Sequence, residues 1–336
     1  MPMTNRSIVL AARPVGVPKQ SDFRLEEAPV SSPGAGECLV RVHYMSVDPY
    51  MRGRISGRKS YAAPVEIGQV MVGASVGQVI ESNSDRIAAG DYVTGPLGWR
   101  EYAIASADDL RVVDAGAAPL SAYLGVLGMP GLTAYYGLLK VAGIESGETV
   151  CVSGAAGAVG SAVGQIARLH GCRAVGIAGG PDKCSLVTGE FGFDAAVDYK
   201  SDNFFKSLRA ATPDGIDVYF DNVGGPVTDA VFQQLNVRSR VAICGQISQY
   251  NAVDAPVGPR LLWHFITKRI RAEGFLVFDF RKHDDESLAQ MAAWVRDGKL
   301  KYRETVAEGI ENAAAAFIGM LGGANIGKQV VKLAGD

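Results

Sequence analysis

The stretch from Glu148 to Lys200 constrains the fold of this chain more than any other. It opens with Glu148-Thr149-Val150-Cys151-Val152-Ser153, a short apolar run that reads as a buried strand. Gly154-Ala155-Ala156-Gly157-Ala158-Val159-Gly160 comes next, and Ser161 to Leu169 has helical spacing. A second strand, Arg173 to Ala178, ends at Gly179-Gly180-Pro181-Asp182-Lys183. Strand, glycine turn, helix and strand in this order make the phosphate-binding half of a dinucleotide fold. Gly157 lets backbone approach a pyrophosphate, and Gly160 lets the helix pack close to its strand. N–H groups at the helix N-terminus face the anion. The turn departs from G-x-G-x-x-G, because Ala155 holds the first glycine place. A tight turn without a ligand would look similar in isolation, but the βαβ context favours the nucleotide.

The end of the second strand selects the nucleotide. An NAD site places Asp or Glu there to bind the ribose 2′-hydroxyl. Here the strand ends in Ala178-Gly179-Gly180, with Lys183 one helical turn beyond, and Asp182 is read as a cap for the next helix. Small residues plus a cation suit a 2′-phosphate, so the expected cofactor is NADP(H). The alternative for Lys183 is an ordinary solvated helix lysine.

The remaining chain fits a two-domain enzyme. Its 336 residues allow about two domains. A net charge of −2 gives no electrostatic reason to expect nucleic acid or an anionic membrane. No apolar run approaches the ~20 residues that span a bilayer, and Met1 to Arg13 lacks a signal-peptide pattern. The expected location is the cytoplasm. The five cysteines, Cys38, Cys151, Cys172, Cys184 and Cys244, form no C-x-x-C pair, and the four histidines are dispersed. Neither a disulfide framework nor a metal site is expected.

Arg6 to about Ala105 reads as short strands separated by Gly, Pro, Asn and Asp, which suggests a twisted barrel or partly closed sheet. Leu120 to Met129 and Leu132 to Val141 look helical, with a break at Pro130-Gly131 that marks entry to the second domain. Further strands are expected at Ala195–Asp198, Asp217–Asp221, Arg240–Cys244 and Arg271–Val277. With helices between them, the six strands match a doubly wound parallel α/β sheet. Gly327 to Leu333 reads as a strand that returns to the β-rich domain. The expected domains are therefore a discontinuous mainly-β one, 1–125 and 305–336, and a Rossmann dinucleotide-binding one, 126–304.

Several motifs carry a resemblance. They are Ser46-Val47-Asp48-Pro49-Tyr50-Met51-Arg52-Gly53-Arg54, Met129-Pro130-Gly131-Leu132-Thr133-Ala134-Tyr135 and the Gly154–Gly160 turn. Downstream lie Asp221-Asn222-Val223-Gly224-Gly225, Cys244-Gly245-Gln246-Ile247-Ser248-Gln249-Tyr250-Asn251 and Asn325-Ile326-Gly327-Lys328. Over nearly its whole length the chain resembles the medium-chain dehydrogenase/reductase superfamily. Within it, the match is to the zinc-free branch of prostaglandin reductases, leukotriene B4 12-hydroxydehydrogenases and bacterial curcumin reductases. The resemblance implies a GroES-like fold for the β-rich domain. Zinc alcohol dehydrogenases of the superfamily carry an early Cys ligand and a Gly-His-Glu run. Here those places read Asp48 and Gly73-Ala74-Ser75, so both ligands are missing.

Without a Lewis acid, chemistry that needs only a hydride and a proton donor is favoured. The resemblance implies NADPH-dependent reduction of the C=C bond of α,β-unsaturated ketones and aldehydes. Hydride would reach the β-carbon while a hydrogen-bond donor holds the enolate oxygen. A tyrosine hydroxyl, with a reference pKa of about 10, is such a donor at pH 7. Tyr250 and Tyr61 match family positions near the substrate, and Tyr50 is a third candidate; for each the alternative is a tyrosine that packs its ring with its hydroxyl on backbone, and for Tyr50 packing is the favoured reading. For cofactor contacts the resemblance points to Thr133, Gly157, Ala158, Val159, Gly180, Lys183, Tyr199, Asn222, Cys244, Phe275 and Asn325. It implies a homodimer, formed through pairing of the sixth strands around Phe275. The alternatives are a quinone reductase on the same fold and a dinucleotide-binding protein without turnover.

Overall fold

The computed structural model describes residues 3–58 and 60–334. The chain divides into two compact units, Met1–Gly125 with Glu304–Asp336, and Val126–Arg303.

In the first unit, β1 (Thr4–Leu10) and β2 (Phe23–Pro29) form an antiparallel pair. The strands β3 (Glu37–Ser46), β4 (Ser75–Ser82), β5 (Tyr92–Gly95), β6 (Tyr102–Ser106) and β7 (Arg111–Val112) belong to a larger sheet. The second unit holds β8 (Thr149–Ser153), β9 (Arg173–Ala178), β10 (Ala195–Asp198), β11 (Ile216–Asp221), β12 (Leu235–Ile243) and β13 (Arg271–Gly274). The chain then returns to the first unit as β14 (Glu304–Glu308) and β15 (Lys328–Lys332). The order of the larger sheet is β14-β15-β3-β4-β5-β7, with β6 also paired to β3. Because β15 is antiparallel to the long central β3, the C-terminal segment completes the N-terminal sheet. A core of Trp99, Phe23 and Phe317 fills this unit, its rings 5.8–6.1 Å apart.

The second unit is the doubly wound parallel sheet, in the order β10-β9-β8-β11-β12-β13. That order reverses between β8 and β11, and the crevice at the carboxyl ends there is where such sheets bind ligands. Helix Ala158–Leu169 is buried from Gly160 to Ala167, and glycines make room for Phe193 and Ala155 around it. A Cβ on Gly164 would lie 1.9 Å from the Phe193 ring, and one on Gly176 would lie 2.7 Å from Ala155 Cβ. Burying Phe193 in this way contributes roughly 1.5–3 kcal/mol.

Three expectations are corrected. Pro130 does not break a helix: Met129–Tyr136 is one helix with Pro130 in its first turn, where a missing N–H costs nothing. The break lies just before it, since Leu120–Leu124 is a separate 3₁₀ turn. Gly131 serves close packing, because a Cβ there would meet the Val126 carbonyl oxygen at 1.9 Å. The sixth strand stops at Gly274 rather than Val277. Phe275 leaves it to pack edge-to-face on Phe220, with ring centroids 6.1 Å apart. Finally, Asp182 does not cap its helix: the N-cap is Gly180, and Asp182 sits inside the first turn.

Candidate active site

The phosphate cradle forms where β8 meets the helix that begins at Ala158. Gly154 takes a φ of +66°, so the sharp bend falls one residue before the place where the motif puts its first glycine. That explains why Ala155 is tolerated. Gly157 is the helix N-cap, and its N–H donates to the Gly154 carbonyl at 2.9 Å. Ala158 and Val159 open the helix, presenting unpaired N–H groups as such termini do. At Gly160 a Cβ would lie 2.3 Å from the carbonyl oxygen of Gly154, the residue directly after β8, so the glycine lets the helix start close against the end of its strand.

Asp221, at the carboxyl end of β11, fixes the other side of the crevice. Its Oδ1 accepts from Ser153 Oγ, Tyr219 Oη, Val223 N and Gly224 N at 2.9–3.1 Å, and its Oδ2 accepts from Thr228 Oγ1 at 2.8 Å. Five donors satisfy a carboxylate that is only 1 % exposed. Asn222 is held beside it, donating its side-chain N–H to the Ser153 carbonyl at 2.8 Å. Asp221 and Ser153 carry the geometry here, although sequence reasoning assigned them no role. The legible signal was a polar residue ending each of two apolar strands.

The end of β9 presents the cation site. Gly180 has a φ of +93°, which a residue with a side chain would adopt only under strain. Its N–H donates to Asp198 Oδ1 at 2.8 Å, and Lys200 N donates to the same oxygen at 2.9 Å. These bonds hold the Asp198 carboxyl below its usual range. The carboxylate is thus engaged in shaping the loop. Tyr199 and Lys200 lean over Gly179, where a Cβ would meet Tyr199 Cε1 at 2.9 Å and Lys200 Cε at 3.1 Å. Lys183 is half-buried, and both burial and the nearby Lys200 ammonium lower its pKa. Two repelling ammonium groups beside an open glycine loop and a tyrosine suit a dianionic phosphate. Lys200 is the residue that sequence reasoning missed. It follows β10, the strand next to β9, and its side chain reaches across to Gly179.

Lys183→Ala should raise KM for NADPH and leave that for NADH nearly unchanged. One charge-assisted contact is worth roughly 1.5–3 kcal/mol, and with Lys200 retained the loss should fall at the lower end. Equal effects on the two cofactors in steady-state kinetics would remove Lys183 from the phosphate site.

The other candidates are spread over both units. Thr133 Oγ1 donates to the Met129 carbonyl at 2.7 Å within its own helix. Cys244 is half-buried, and burial followed by the Asp221 charge pushes its pKa up to about 12, so it is a thiol. Tyr250 closes a 3₁₀ turn, and its hydroxyl accepts the Gln246 N–H at 3.2 Å. Tyr50, Tyr61 and Asn325 belong to the first unit. Tyr61 is 58 % exposed. Tyr50 is half-buried, and burial followed by the Asp48 charge raises its pKa. Asn325 Nδ2 donates to the Gly327 carbonyl at 2.8 Å. Among the described residues no group of three or more His, Cys, Asp or Glu could hold a metal ion. No helix among them is long and apolar enough to cross a membrane.

Residues 6–113 match a family model described as the N-terminal domain of oxidoreductase, and residues 158–296 match one described as zinc-binding dehydrogenase. NADPH-dependent curcumin reductase of Escherichia coli is 48% identical over 337 residues, covering 99% of this chain and 98% of that protein. The NADP(+)-dependent 2-alkenal reductase of Nicotiana tabacum is 42% identical over 335 residues, covering 98% and 97%. The crystal structure of CurA from Vibrio vulnificus in complex with NADPH superposes with a TM-score of 0.95 at 46% identity, covering 98% of this chain and 100% of that one.

Proposed function

We propose a function from the premise that this chain belongs to the medium-chain dehydrogenase/reductase family, in the branch of curcumin, alkenal and prostaglandin reductases. It is an NADPH-dependent reductase of the C=C bond in α,β-unsaturated ketones and aldehydes. The observation that carries the NADPH part of this reading is the Gly179-Gly180 loop, where Tyr199 Cε1 and Lys200 Cε stand 2.9 and 3.1 Å from the place a Gly179 Cβ would take, with Lys183 in the helix that follows.

When bound, NADPH supplies the hydride. The Gly154–Gly160 turn and its helix would hold the pyrophosphate, and Lys183, Lys200 and Tyr199 the 2′-phosphate. Thr133, Asn222, Cys244 and Phe275, and from the first unit Asn325, remain candidates along the nucleotide. A tyrosine hydroxyl would donate to the substrate oxygen as negative charge grows there, which stabilises the transition state more than the ground state. Tyr50, which stands directly after the Asp48-Pro49 turn and opens the helix Met51–Arg54, is our candidate for this task. Tyr61 would share the oxygen. Tyr250, with its hydroxyl on Gln246 N, is read as fastening the loop around the nucleotide. The fates of Thr133 and Asn222 are consistent with support, since both spend a donor on backbone.

The exposed edge of β13, with Leu262 and Trp263 75 % and 68 % exposed on the preceding helix, supports a homodimer. Five free thiols, three of them buried, support a reducing compartment, and we place the enzyme in the cytoplasm.

A panel of enones of increasing size, monitored by NADPH absorbance in buffer containing a chelator, tests the reading. Turnover of enones should exceed that of a benzoquinone and survive chelation, and the same preparation should sediment at twice the chain mass. Preference for the quinone would favour the alternative enzyme. NADPH binding without any turnover would favour a binding module.

A further inference from the structure

A buried ion pair lies under the Asp48-Pro49-Tyr50 turn of the first unit. Side-chain exposure is 4% for Lys328 and 6% for Asp48, and Lys328 Nζ stands 3.0 Å from Asp48 Oδ1. The same Nζ donates to the carbonyl oxygens of Val47 at 2.7 Å and Gln329 at 2.8 Å. An ammonium has three donors, so these contacts use all of them. The second oxygen of Asp48 accepts from the Ser46 hydroxyl. A pair this complete is costly to bury, and apolar packing in its place is often as stable or more so. Its presence therefore calls for a role other than stability.

Geometry suggests one. Val47 and Asp48 are both gripped by Lys328, a residue of the C-terminal strand β15, so a distant part of the chain sets the turn. Immediately after it, Tyr50 is in helical conformation with φ −59° and ψ −25° and opens the short helix Met51–Arg54. Met51, next in line, is wholly buried and anchors the other side. We propose that the Lys328–Asp48 pair is a positioning device: a fixed internal cation that locks the 47–50 turn and thereby holds the Tyr50 hydroxyl where the substrate oxygen develops charge. Lys328 acts through Tyr50 and touches no reactant. The Asp48 charge also opposes ionisation of Tyr50, so the same carboxylate that anchors the turn helps keep the donor protonated.

This inference rests on the enone-reductase reading, and its test separates the two. Lys328→Met alone would strand a buried carboxylate and could prevent folding. The double variant Asp48→Asn, Lys328→Met removes both charges together. It is compared with wild type, and again in a Tyr50→Phe background, by kcat, both KM values and melting temperature. The expected result is a folded double variant whose kcat falls roughly ten- to hundredfold, with KM for NADPH unchanged. In the Tyr50→Phe background the same double change should cause no further fall, because its effect runs through the missing hydroxyl. Should the double variant fail to fold, Asp48→Asn alone, which keeps an acceptor for Lys328, should give the same pattern at severalfold. Wild-type kcat in a folded variant, or an equal fall in both backgrounds, overturns the proposal. A wild-type chain that oxidises NADPH with no enone fails the functional reading instead.

Discussion

Gly160→Ala should cost this chain its dinucleotide. The added Cβ would lie 2.3 Å from the Gly154 carbonyl oxygen, 2.8 Å from its carbon and 3.0 Å from Ala155 Cα. All three are backbone atoms, so no side-chain rotation relieves the clash. The turn itself must open. Overpacking of this kind costs typically about 1–3 kcal/mol in stability. The functional loss should be larger, because the N–H groups that face the pyrophosphate sit on the displaced segment, and a shift of about 1 Å can cost ~10²-fold. Titration with NADPH should show weakening of that order, with NADH weakened equally, since both carry the pyrophosphate. That parity distinguishes Gly160→Ala from Lys183→Ala. A variant that melts a few degrees lower yet binds NADPH as wild type does would show that the turn is not the phosphate cradle.

Tyr50→Phe should lower kcat by ~10²–10³, the usual loss when one donor to a developing oxyanion is removed. The ring is retained, so the half-buried packing around it survives and melting temperature should change little. KM for NADPH should stay constant, because Tyr50 is assigned to the substrate oxygen and not to the nucleotide. If Tyr61 shares the oxygen, the Tyr50→Phe, Tyr61→Phe double variant should lose less than the product of the single losses. Tyr250→Phe should behave differently. Removing its hydroxyl leaves the Gln246 N–H without that acceptor, so KM for NADPH should rise for every substrate alike. An unchanged kcat in Tyr50→Phe would remove Tyr50 from the chemistry and take the positioning role of Lys328 with it.

The sequence by itself determined the β–turn–α–β core of the second unit, its six parallel strands and the nucleotide preference. Each of these is written locally: apolar runs with β-rich composition, glycines at the turn, and helical spacing between strands. The return of the C-terminal strand was legible for the same reason. Local signals failed where one residue serves two geometries. Proline reads alike as a helix breaker and as a first-turn residue, so the break was set at Pro130, although the helix runs through it. Only the tertiary structure decided the rest. Asp198 became the loop's anchor through bonds from the Gly180 and Lys200 N–H groups, and the Lys200 side chain came to stand over Gly179. Lys328 reached Val47 across 281 residues. Such partners are chosen by the packing of whole sheets, which brings distant charges together in a space from which water is excluded. No spacing along the chain encodes that meeting, because its energy depends on burial that exists only once the fold is complete.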